Sequence, residues 1–346
     1  MTSTPQRRAV LGAAAGAAIA AARPLRLARA QTPLRLRCSL DTAPSHLRNV
    51  SIADFLAKLE KTSGGRIKTE LFQSGALFPD LAVSKALVQG QVEMACPGLW
   101  TLTGFVPDAD MCQLPIFYGQ SSDIVHKAFD GKPGELLNQE ITAKLGVQVL
   151  GKWLDLGFQN WFTTTKPINT LADLKGLKLR SSGGVGVPWR IAFVGGIANT
   201  TAWPQVPLAL SQGTFDGLVS SDESCASAQL WDAGLRYAFE DHQFFADYIP
   251  LVSNAFWDKL PPDLQQAMRG LWADNIAAYR AEMIEAQRKA RTTMEAHGVK
   301  FVDPSPDALA SARRRMLIEQ DEMARQAKIS PEMVALVMQT VGRDAG

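Results

Sequence analysis

The feature that most constrains the fold is a long run with few helix breakers, from Pro262 to about His297. Its apolar side chains recur at helical spacing, at Leu264, Met268, Leu271, Ile276, Tyr279 and Met283. At ~1.5 Å per residue, a helix over this run is about 50 Å long. Because such a helix is longer than a small domain is wide, it can span two lobes of one chain.

Short strand and helix patterns alternate along the chain before this run. Apolar patterning predicts strands at 34–40, 67–72, 92–96, 147–153, 177–179, 215–219 and 250–253, with an apolar and aromatic run at 158–164. Helical spacing predicts helices at 49–62, 80–89, 135–145, 186–193 and 207–212. The alternation is typical of parallel α/β layers. A length of 346 residues favours two domains.

The first thirty residues have the order of an export signal. Arg7 and Arg8 precede an apolar stretch at 9–22, and the triplet Ala-Arg-Ala at 28–30 places small residues before Gln31. We expect cleavage after this triplet and a mature protein that is free in the periplasm. The paired arginines resemble a twin-arginine signal. An ordinary secretory signal that happens to contain two arginines is the alternative.

Charge and composition exclude several classes of protein. The export segment contains five arginines and no Lys, Asp or Glu, which leaves 31 basic against 34 acidic side chains in the mature chain. This mildly acidic balance argues against a nucleic-acid-binding surface, which needs clustered Lys and Arg. No apolar run reaches the ~18–20 residues that span a bilayer. With 46% hydrophobic and 20% charged residues, the chain is neither disordered nor collagen-like.

The sequence contains no motif of a common catalytic or metal centre. HExxH, GxSxG and GKS/T are absent, and the four histidines show no ligand spacing. We therefore predict no enzyme activity, no metal and no cofactor. The four cysteines are irregularly spaced among apolar or small residues, which favours buried free thiols. An oxidising compartment would also permit up to two disulfides.

Arg180 is the strongest candidate for a binding residue. It ends a predicted strand and precedes a glycine-rich loop, Gly183-Gly184-Val185-Gly186, that leads into a helix. The loop lacks the GxGxxG frame and the later acidic residue of a dinucleotide site, but the free N–H groups at a helix start can hold an anion. A guanidinium binds a carboxylate through two parallel hydrogen bonds. The alternative is a structural arginine paired with an acid of the same chain.

Aromatic residues are frequent in the same region. Trp100, Trp153, Trp161, Trp189 and Trp203 all lie within the α/β part, several of them at predicted strand ends. Aromatic side chains at such places often line a binding cleft. For any one of these tryptophans, packing in the core is an equally good interpretation.

Five segments are carried in an order found in a known family: TSGGR at 62–66, GQVEM at 90–94, ADLKGLKLR at 172–180, PLALSQGTFDG at 207–217, and LVSN at 251–254 before the long helix. Together they resemble the DctP family of periplasmic solute-binding proteins of tripartite ATP-independent periplasmic (TRAP) transporters. The resemblance covers essentially the whole mature chain. It implies an α/β fold of two lobes, joined by crossing strands and a long helix, that close over one organic acid.

The resemblance also implies an organisation and partners. It places lobe I at 31–156 plus 245–285, and lobe II with the C-terminal helices at 157–244 plus 286–346, after a signal peptide at 1–30. The partners it implies are a small organic acid and the membrane permease subunits, and we expect a monomer. The function is then capture, lobe closure and delivery, without a chemical reaction.

Departures from the family pattern narrow the expected ligand. Many members carry a second arginine where this chain has Gln159, and sialate-type members have Asn where Ser220 stands. With one cationic position fewer, the sequence favours a monocarboxylate, for example an aromatic, hydroxy or keto acid, over sialic acid or a dicarboxylate. The resemblance and the tryptophans give the predicted ligand-binding set, which is Arg180, Gln159, Trp161, Trp203, Ser220, Trp100, His46 and Ser181.

Two other functions remain open at this point. A sensory protein of the same fold would report the ligand to a receptor, and gene neighbourhood would separate it from a transport protein. An exported enzyme acting on small acids would turn over its ligand. The missing catalytic motifs argue against the enzyme.

Overall fold

The computed structural model describes Met1 and residues 32–342. The predicted export signal and the cleavage point before Gln31 lie outside these residues. The strands are β1 Leu34–Ser39, β2 Ile67–Phe72, β3 Met94–Ala95, β4 Val147–Val149, β5 Leu154–Thr163, β6 Lys178–Ser181, β7 Ile197–Thr200, β8 Gly217–Ser220, β9 Tyr237–Tyr248, β10 Leu251–Ser253 and β11 Lys300–Val302.

The α-helices follow the strands in alternation and then form the C-terminal part. They are α1 Leu47–Thr62, α2 Asp80–Val88, α3 Ser122–Phe129, α4 Lys132–Leu145, α5 Gly186–Phe193, α6 Val206–Ser211, α7 Asp222–Ser227, α8 Asn254–Trp257, α9 Pro262–Ala296, α10 Pro306–Ile318, α11 Gln320–Ala327 and α12 Pro331–Val341. Among these helices, none is both long and apolar enough to cross a membrane.

A five-stranded sheet, ordered β2-β1-β3-β10-β4, forms the first lobe. β1 pairs in parallel with β2 and β3, whereas β10 is antiparallel to β3 and β4. The crossover helix α1 buries Ile52, Phe55, Leu56 and Leu59, which recur at helical spacing. The predicted alternation is therefore correct here, but the sheet is mixed, because β10 returns from the other half of the molecule.

A six-stranded sheet, ordered β11-β9-β5-β8-β6-β7, forms the second lobe. β8, β6 and β7 are parallel, and β5 is antiparallel to both β8 and β9. The chain enters this sheet between β4 and β5 and leaves it between β9 and β10. β5 and β9 are therefore the crossing strands, and the fold is the two-lobed α/β architecture expected from the sequence.

The long helix α9 contacts both lobes. It packs against α1 of the first lobe and against α7 and β5 of the second. Its buried face contains most of the predicted positions, but Trp272 takes the core position beside the partly buried Leu271. The Trp272 ring meets Phe55 edge-on at 5.3 Å, and its Nε1 donates to the Lys152 carbonyl at 2.8 Å. The predicted helix at 262–297 is thus confirmed, although Trp272 rather than Leu271 lies on its buried face.

The C-terminal helices α10, α11 and α12 pack mainly on helical segments that precede β5, and α11 also contacts α5. α12 packs against α3 and α4, and α10 packs against the short 3₁₀ turn Pro115–Phe117. Their apolar face joins one large core that also contains the side chains of α3 and α4. The division of the chain into residue ranges for two lobes stays a prediction.

Candidate ligand-binding site

Arg180 lies at the end of β6, between the two lobes, and is only 3% exposed. Its Nε donates to the Thr201 carbonyl at 2.9 Å, which fixes the plane of the guanidinium. Nη2 lies 3.8 Å from Asp80 Oδ2 of the first lobe, and the guanidinium carbon lies 5.4 Å from the Trp203 ring centre. Because Nε is already used, the two Nη atoms are the donors that remain for a ligand.

A small cavity of about 20 Å³, room for roughly one water molecule, adjoins Arg180. Asp41 and Asp80 supply carboxylates from the first lobe, and Gln159 supplies an amide from β5. The aromatic lining consists of Trp100, Trp203 and Tyr248, and the remaining lining is Leu156, Ser182, Ser220 and Ser224. The lining therefore combines charged and polar groups with aromatic walls.

The topology explains why these side chains meet. Arg180 is the last but one residue of β6 and Ser220 is the last residue of β8. These strands are parallel neighbours, so both residues lie at one edge of the second sheet. Asp41 follows β1 of the first sheet, beyond its carboxyl end. Ligand sites in open α/β sheets lie outside the carboxyl ends of the strands. Two such edges face each other across the cavity.

Asp80 connects the lobes at this point. It is the first residue of α2, is 3% exposed, and accepts the backbone N–H of Trp203 at 3.1 and 3.2 Å. Burial, together with the negative charge of Asp41, raises the pKa of Asp80 to about 6, although Arg180 acts in the opposite direction. Burial lowers the pKa of Arg180, and the negative charges of Asp80 and Asp41 partly offset this effect.

A second buried cation, Arg48, balances Asp41. Its Nη2 donates to Asp41 Oδ1 at 2.7 Å and to Thr42 Oγ1 at 2.6 Å, and its guanidinium lies 4.0 Å from the Tyr248 ring centre. Burial lowers the pKa of Arg48, but Asp41, Tyr248 and Cys96 together raise it above its ordinary value. The ion pair with Arg48 therefore fixes the position of the Asp41 carboxylate at the edge of the cavity.

The structure brings five of the predicted binding residues to the cavity and leaves three outside its lining. Arg180, Gln159, Trp203, Ser220 and Trp100 line it. The Gln159 amide nitrogen donates to the Gly157 carbonyl at 3.2 Å, so its oxygen is the atom that remains for other contacts.

The other three predicted residues make contacts within the protein. Trp161 is fully buried, and its Nε1 donates to Asp241 at 2.9 Å. Ser181 Oγ accepts the N–H of Gly183 at 3.1 Å. These two contacts orient a buried carboxylate and close the glycine loop, and neither residue lines the cavity.

His46 caps α1 instead of lining the cavity. Its Nδ1 accepts the N–H of Arg48 at 3.1 Å, so Nε2 is the protonated nitrogen in the neutral tautomer. Nε2 lies 3.1 Å from Ser224 Oγ and 2.8 Å from Glu223 Oε2, both on α7 of the second lobe. His46 therefore joins the lobes next to the site, at Ser224, which does line the cavity.

The helix start after the glycine loop is not available to a ligand anion. Asp110 Oδ2 accepts the N–H groups of Val185 and Gly186 at 2.8 and 3.3 Å. Gly184 has φ +70°, and a Cβ there would lie 2.8 Å from Asp110 Oδ1, so glycine is required for this close approach. The hypothesis of an anion site at this helix start is therefore wrong: a carboxylate of the same chain occupies it.

Asp41 and Asp80 are the charged residues of the lining that were not predicted; Leu156, Ser182, Ser224 and Tyr248 were not predicted either. Asp41 directly follows a predicted strand, and Asp80 begins a predicted helix. Both positions lie where ligand-contacting residues are common in α/β proteins. Their positions in the sequence therefore pointed to the site, but only the structure shows that both carboxylates lie near Arg180.

The cysteines have the state that their sequence context predicts. The four cysteines are free and buried. Burial raises the pKa of the Cys96 thiol to about 12, so this thiol is unreactive at neutral pH. Over the described residues, no group of three or more His, Cys, Asp or Glu side chains could hold a metal ion.

Comparison with known proteins gives a consistent result. The model of the DctP family, described as bacterial extracellular solute-binding protein, family 7, matches residues 40–326. A solute-binding protein of Verminephrobacter eiseniae is 28% identical, covering 80% of this chain and 81% of its own length. The 2,3-diketo-L-gulonate-binding periplasmic protein YiaO of Escherichia coli is 26% identical, covering 82% and 87%.

Solved structures share the fold. The sugar acid binding protein DctPAm of Advenella mimigardefordensis, in complex with galactonate, superposes with a TM-score of 0.84 at 22% identity, covering 91% of this chain and 99% of that one. A TRAP periplasmic solute binding protein of Sulfurospirillum deleyianum with bound succinate gives a TM-score of 0.81 at 21% identity, covering 89% and 99%.

Proposed function

The chain belongs to the DctP family of bacterial extracellular solute-binding proteins, the solute-binding proteins of TRAP transporters, and on this basis we propose what it binds and how. We propose that it captures a small organic monocarboxylate between its two lobes, closes over it and delivers it to the membrane permease subunits. The protein acts as a monomer and catalyses no reaction. The relatives are named as solute-binding proteins, which supports a transport role.

The observation that carries this proposal is Arg180, a buried guanidinium at the cavity with two Nη atoms left for a ligand. A charged group is rarely buried without a partner of opposite charge. Its protein partner, Asp80, is 3.8 Å away, which is longer than a charge-assisted hydrogen bond. A ligand carboxylate can therefore approach Arg180 more closely than Asp80 does.

The charges around Arg180 favour a ligand with one carboxylate. Asp41 and Asp80 both line the cavity, as does the uncharged amide of Gln159. The second carboxylate of a dicarboxylate would face like charges in a desolvated space, which is unfavourable. The walls formed by Trp100 and Trp203 suit the flat or apolar part of an aromatic, hydroxy or keto acid.

Export of the chain is part of the same proposal. We propose that residues 1–30 are removed and that the mature protein works in the periplasm from Gln31 onward. The family description as extracellular and the relatives named as periplasmic support this location.

Calorimetry with a panel of small acids tests the function. Monocarboxylates should bind, whereas their neutral amides and the dicarboxylates succinate and malate should bind more weakly. A ligand at 100 times its Kd stabilises the native state by about 2.7 kcal/mol, so thermal denaturation gives a second measurement. Tightest binding by succinate would contradict the monocarboxylate assignment, and NMR detection of a product from a bound acid would contradict a pure binding role.

A further inference from the structure

A contact between the lobes lies beside the ligand cavity without forming part of its lining. It joins the start of α1 in the first lobe to Glu223 of α7 in the second lobe. The Leu47 N–H donates to Glu223 Oε1 at 2.8 Å, and His46 Nε2 lies 2.8 Å from Glu223 Oε2. His46 is fully buried and Glu223 is 5% exposed, and neither residue lines the cavity. Neither is therefore placed to touch a solute there.

The first turn of α1 has no carboxylate of its own. A helix start has free N–H groups and the positive end of the helix dipole, so a negative charge is stabilising there. Glu223 supplies this charge from the other lobe. Hydrogen bonds to an ionised carboxylate are stronger than those between neutral groups. Separation of the lobes would therefore deprive the Leu47 N–H and the His46 ring of a strong acceptor.

Both sides of this contact are held in place. The Glu223 N–H donates to Gln287 Oε1 of α9 at 2.9 Å, and Gln287 Nε2 donates to the Leu156 carbonyl of β5 at 2.5 Å. On the other side, His46 Nδ1 accepts the N–H of Arg48 at 3.1 Å, which orients the ring at the start of α1. Because neither side is free to follow the other, the contact requires one relative position of the lobes.

The cavity is enclosed in this position of the lobes. Arg180 is 3% exposed and the cavity has a volume of about 20 Å³, so a solute reaches or leaves Arg180 only when the lobes separate. The apparent affinity of a solute falls in proportion to the fraction of molecules in the binding-competent state, and opening of such a site often limits release. A contact that holds the lobes closed therefore strengthens the binding of every solute by the same factor.

We propose that Glu223 is a positioning residue that holds the lobes closed over the solute through the start of α1, with His46 as its partner in the first lobe. The inference rests on the proposed function and adds to it a contact that sets the affinity without touching the solute. The pair lengthens the time for which a solute stays bound, whichever acid it is. The identity of the acid is then selected by the cavity, and the strength of closure by this contact.

Two substitutions remove the contact from opposite sides. Glu223→Ala removes the carboxylate. His46→Asn removes the ring that reaches α7, but its oxygen can still cap α1, because Asn is a favoured N-cap residue. Calorimetry with acetate, pyruvate, lactate, benzoate and mandelate gives the Kd of each acid, and stopped-flow tryptophan fluorescence gives the rate of release.

Every acid that binds the wild-type protein should bind Glu223→Ala about tenfold or more weakly, by one common factor, and leave it correspondingly faster. His46→Asn should weaken binding by about threefold or more, because the Leu47 N–H still meets the carboxylate. The double variant should stay within about threefold of Glu223→Ala, since His46 has nothing to hold once the carboxylate is gone. Asp232→Ala is the control, because Asp232 is an exposed acid of the second lobe that follows α7; it should leave every Kd unchanged.

The outcomes distinguish this inference from the proposed function. If folded Glu223→Ala keeps the wild-type Kd values, weakens only some of the acids, or releases them no faster, Glu223 does not hold the lobes closed, and the binding of monocarboxylates still stands. If Glu223→Ala does not fold, Glu223→Gln takes its place: it keeps an acceptor for the Leu47 N–H but loses the charge, and unchanged Kd values in this variant would equally overturn the inference. If none of the five acids binds the wild-type protein, the proposed function fails and the inference fails with it.

Discussion

Replacing Arg180 by alanine should weaken the binding of carboxylate ligands at least 30-fold. The guanidinium is 3% exposed, so a ligand carboxylate in contact with it is shielded from water. Removing one partner of a buried, hydrogen-bonded charge pair costs about 2–5 kcal/mol. Since each 1.4 kcal/mol is a factor of ten, this range corresponds to roughly 30-fold to a few thousand-fold in Kd.

Arg180→Lys should recover only part of the loss. In the wild-type protein, Nε is bound to the Thr201 carbonyl at 2.9 Å, which orients the two Nη atoms toward the cavity side. A lysine has one ammonium group and cannot bind this carbonyl and a carboxylate with the same planar geometry. Its Kd should therefore lie between those of the wild type and Arg180→Ala.

Calorimetry with the tightest monocarboxylate of the panel measures these differences. Lys178→Ala is the control, because Lys178 lies two residues earlier on the same strand and its side chain is exposed. It removes the same charge without touching the cavity. A Kd for Arg180→Ala within threefold of the wild-type value, with native stability retained, would refute the assignment of Arg180 as the carboxylate ligand.

Small-angle X-ray scattering should give a smaller radius of gyration at saturating ligand, because the lobes close over the solute; an unchanged radius would contradict closure. Asp110→Ala should lower the free energy of unfolding by about 0.5–2 kcal/mol, because the start of α5 loses its acceptor; equal denaturation midpoints would show that this cap is unimportant. Burial raises the pKa of Asp241 to about 7, so the native state keeps a proton that the unfolded chain releases near pH 4. The stability that this proton contributes should fall as the pH rises from about 4 to about 7, and Asp241→Asn should flatten that decline. Intact-mass analysis of the periplasmic protein should show Gln31 as the first residue, and retention of residues 1–30 would contradict the predicted cleavage.

The sequence predicts the regular elements well where one face of an element is apolar. The long helix is an example, because Leu264, Met268, Ile276 and Met283 mark its buried face without reference to the rest of the chain. The strand that contains Arg180 is another example. Its apolar residues alternate with polar ones over a short stretch, and a charged residue and a glycine-rich loop mark its end. Such patterns are local, so they can be read from the sequence.

The crossing strand β9 shows where this approach fails. Tyr237–Tyr248 is the longest strand of the described chain, yet the sequence analysis did not assign it. It contains Asp241 and Asp247, both fully buried, where an apolar side chain would be expected. Asp241 is tolerated because Tyr118 and Trp161 donate hydrogen bonds to it, both at 2.9 Å. Such partners come from distant segments, which local patterns do not reveal.

The candidate site was predicted in part for the same reason. Arg180 is recognisable from its place at a strand end and from the family segment around it. Its relation to Asp80 depends on the approach of α2 and β6, a hundred residues apart in the chain. Local sequence patterns therefore indicate the cation of the site but not the two carboxylates that lie beside it.

The attachment of α9 to both lobes provides a fixed reference for measuring movement. Along this helix, distances between residues are set by a rise of about 1.5 Å per residue, whatever the separation of the lobes. Asp274 and Lys289 are exposed on it and accept labels without disturbing the core. Distances between spin labels at these positions and labels on each lobe would report which lobe moves relative to the helix. A solute sensor built from this protein could therefore use α9 as its fixed reference.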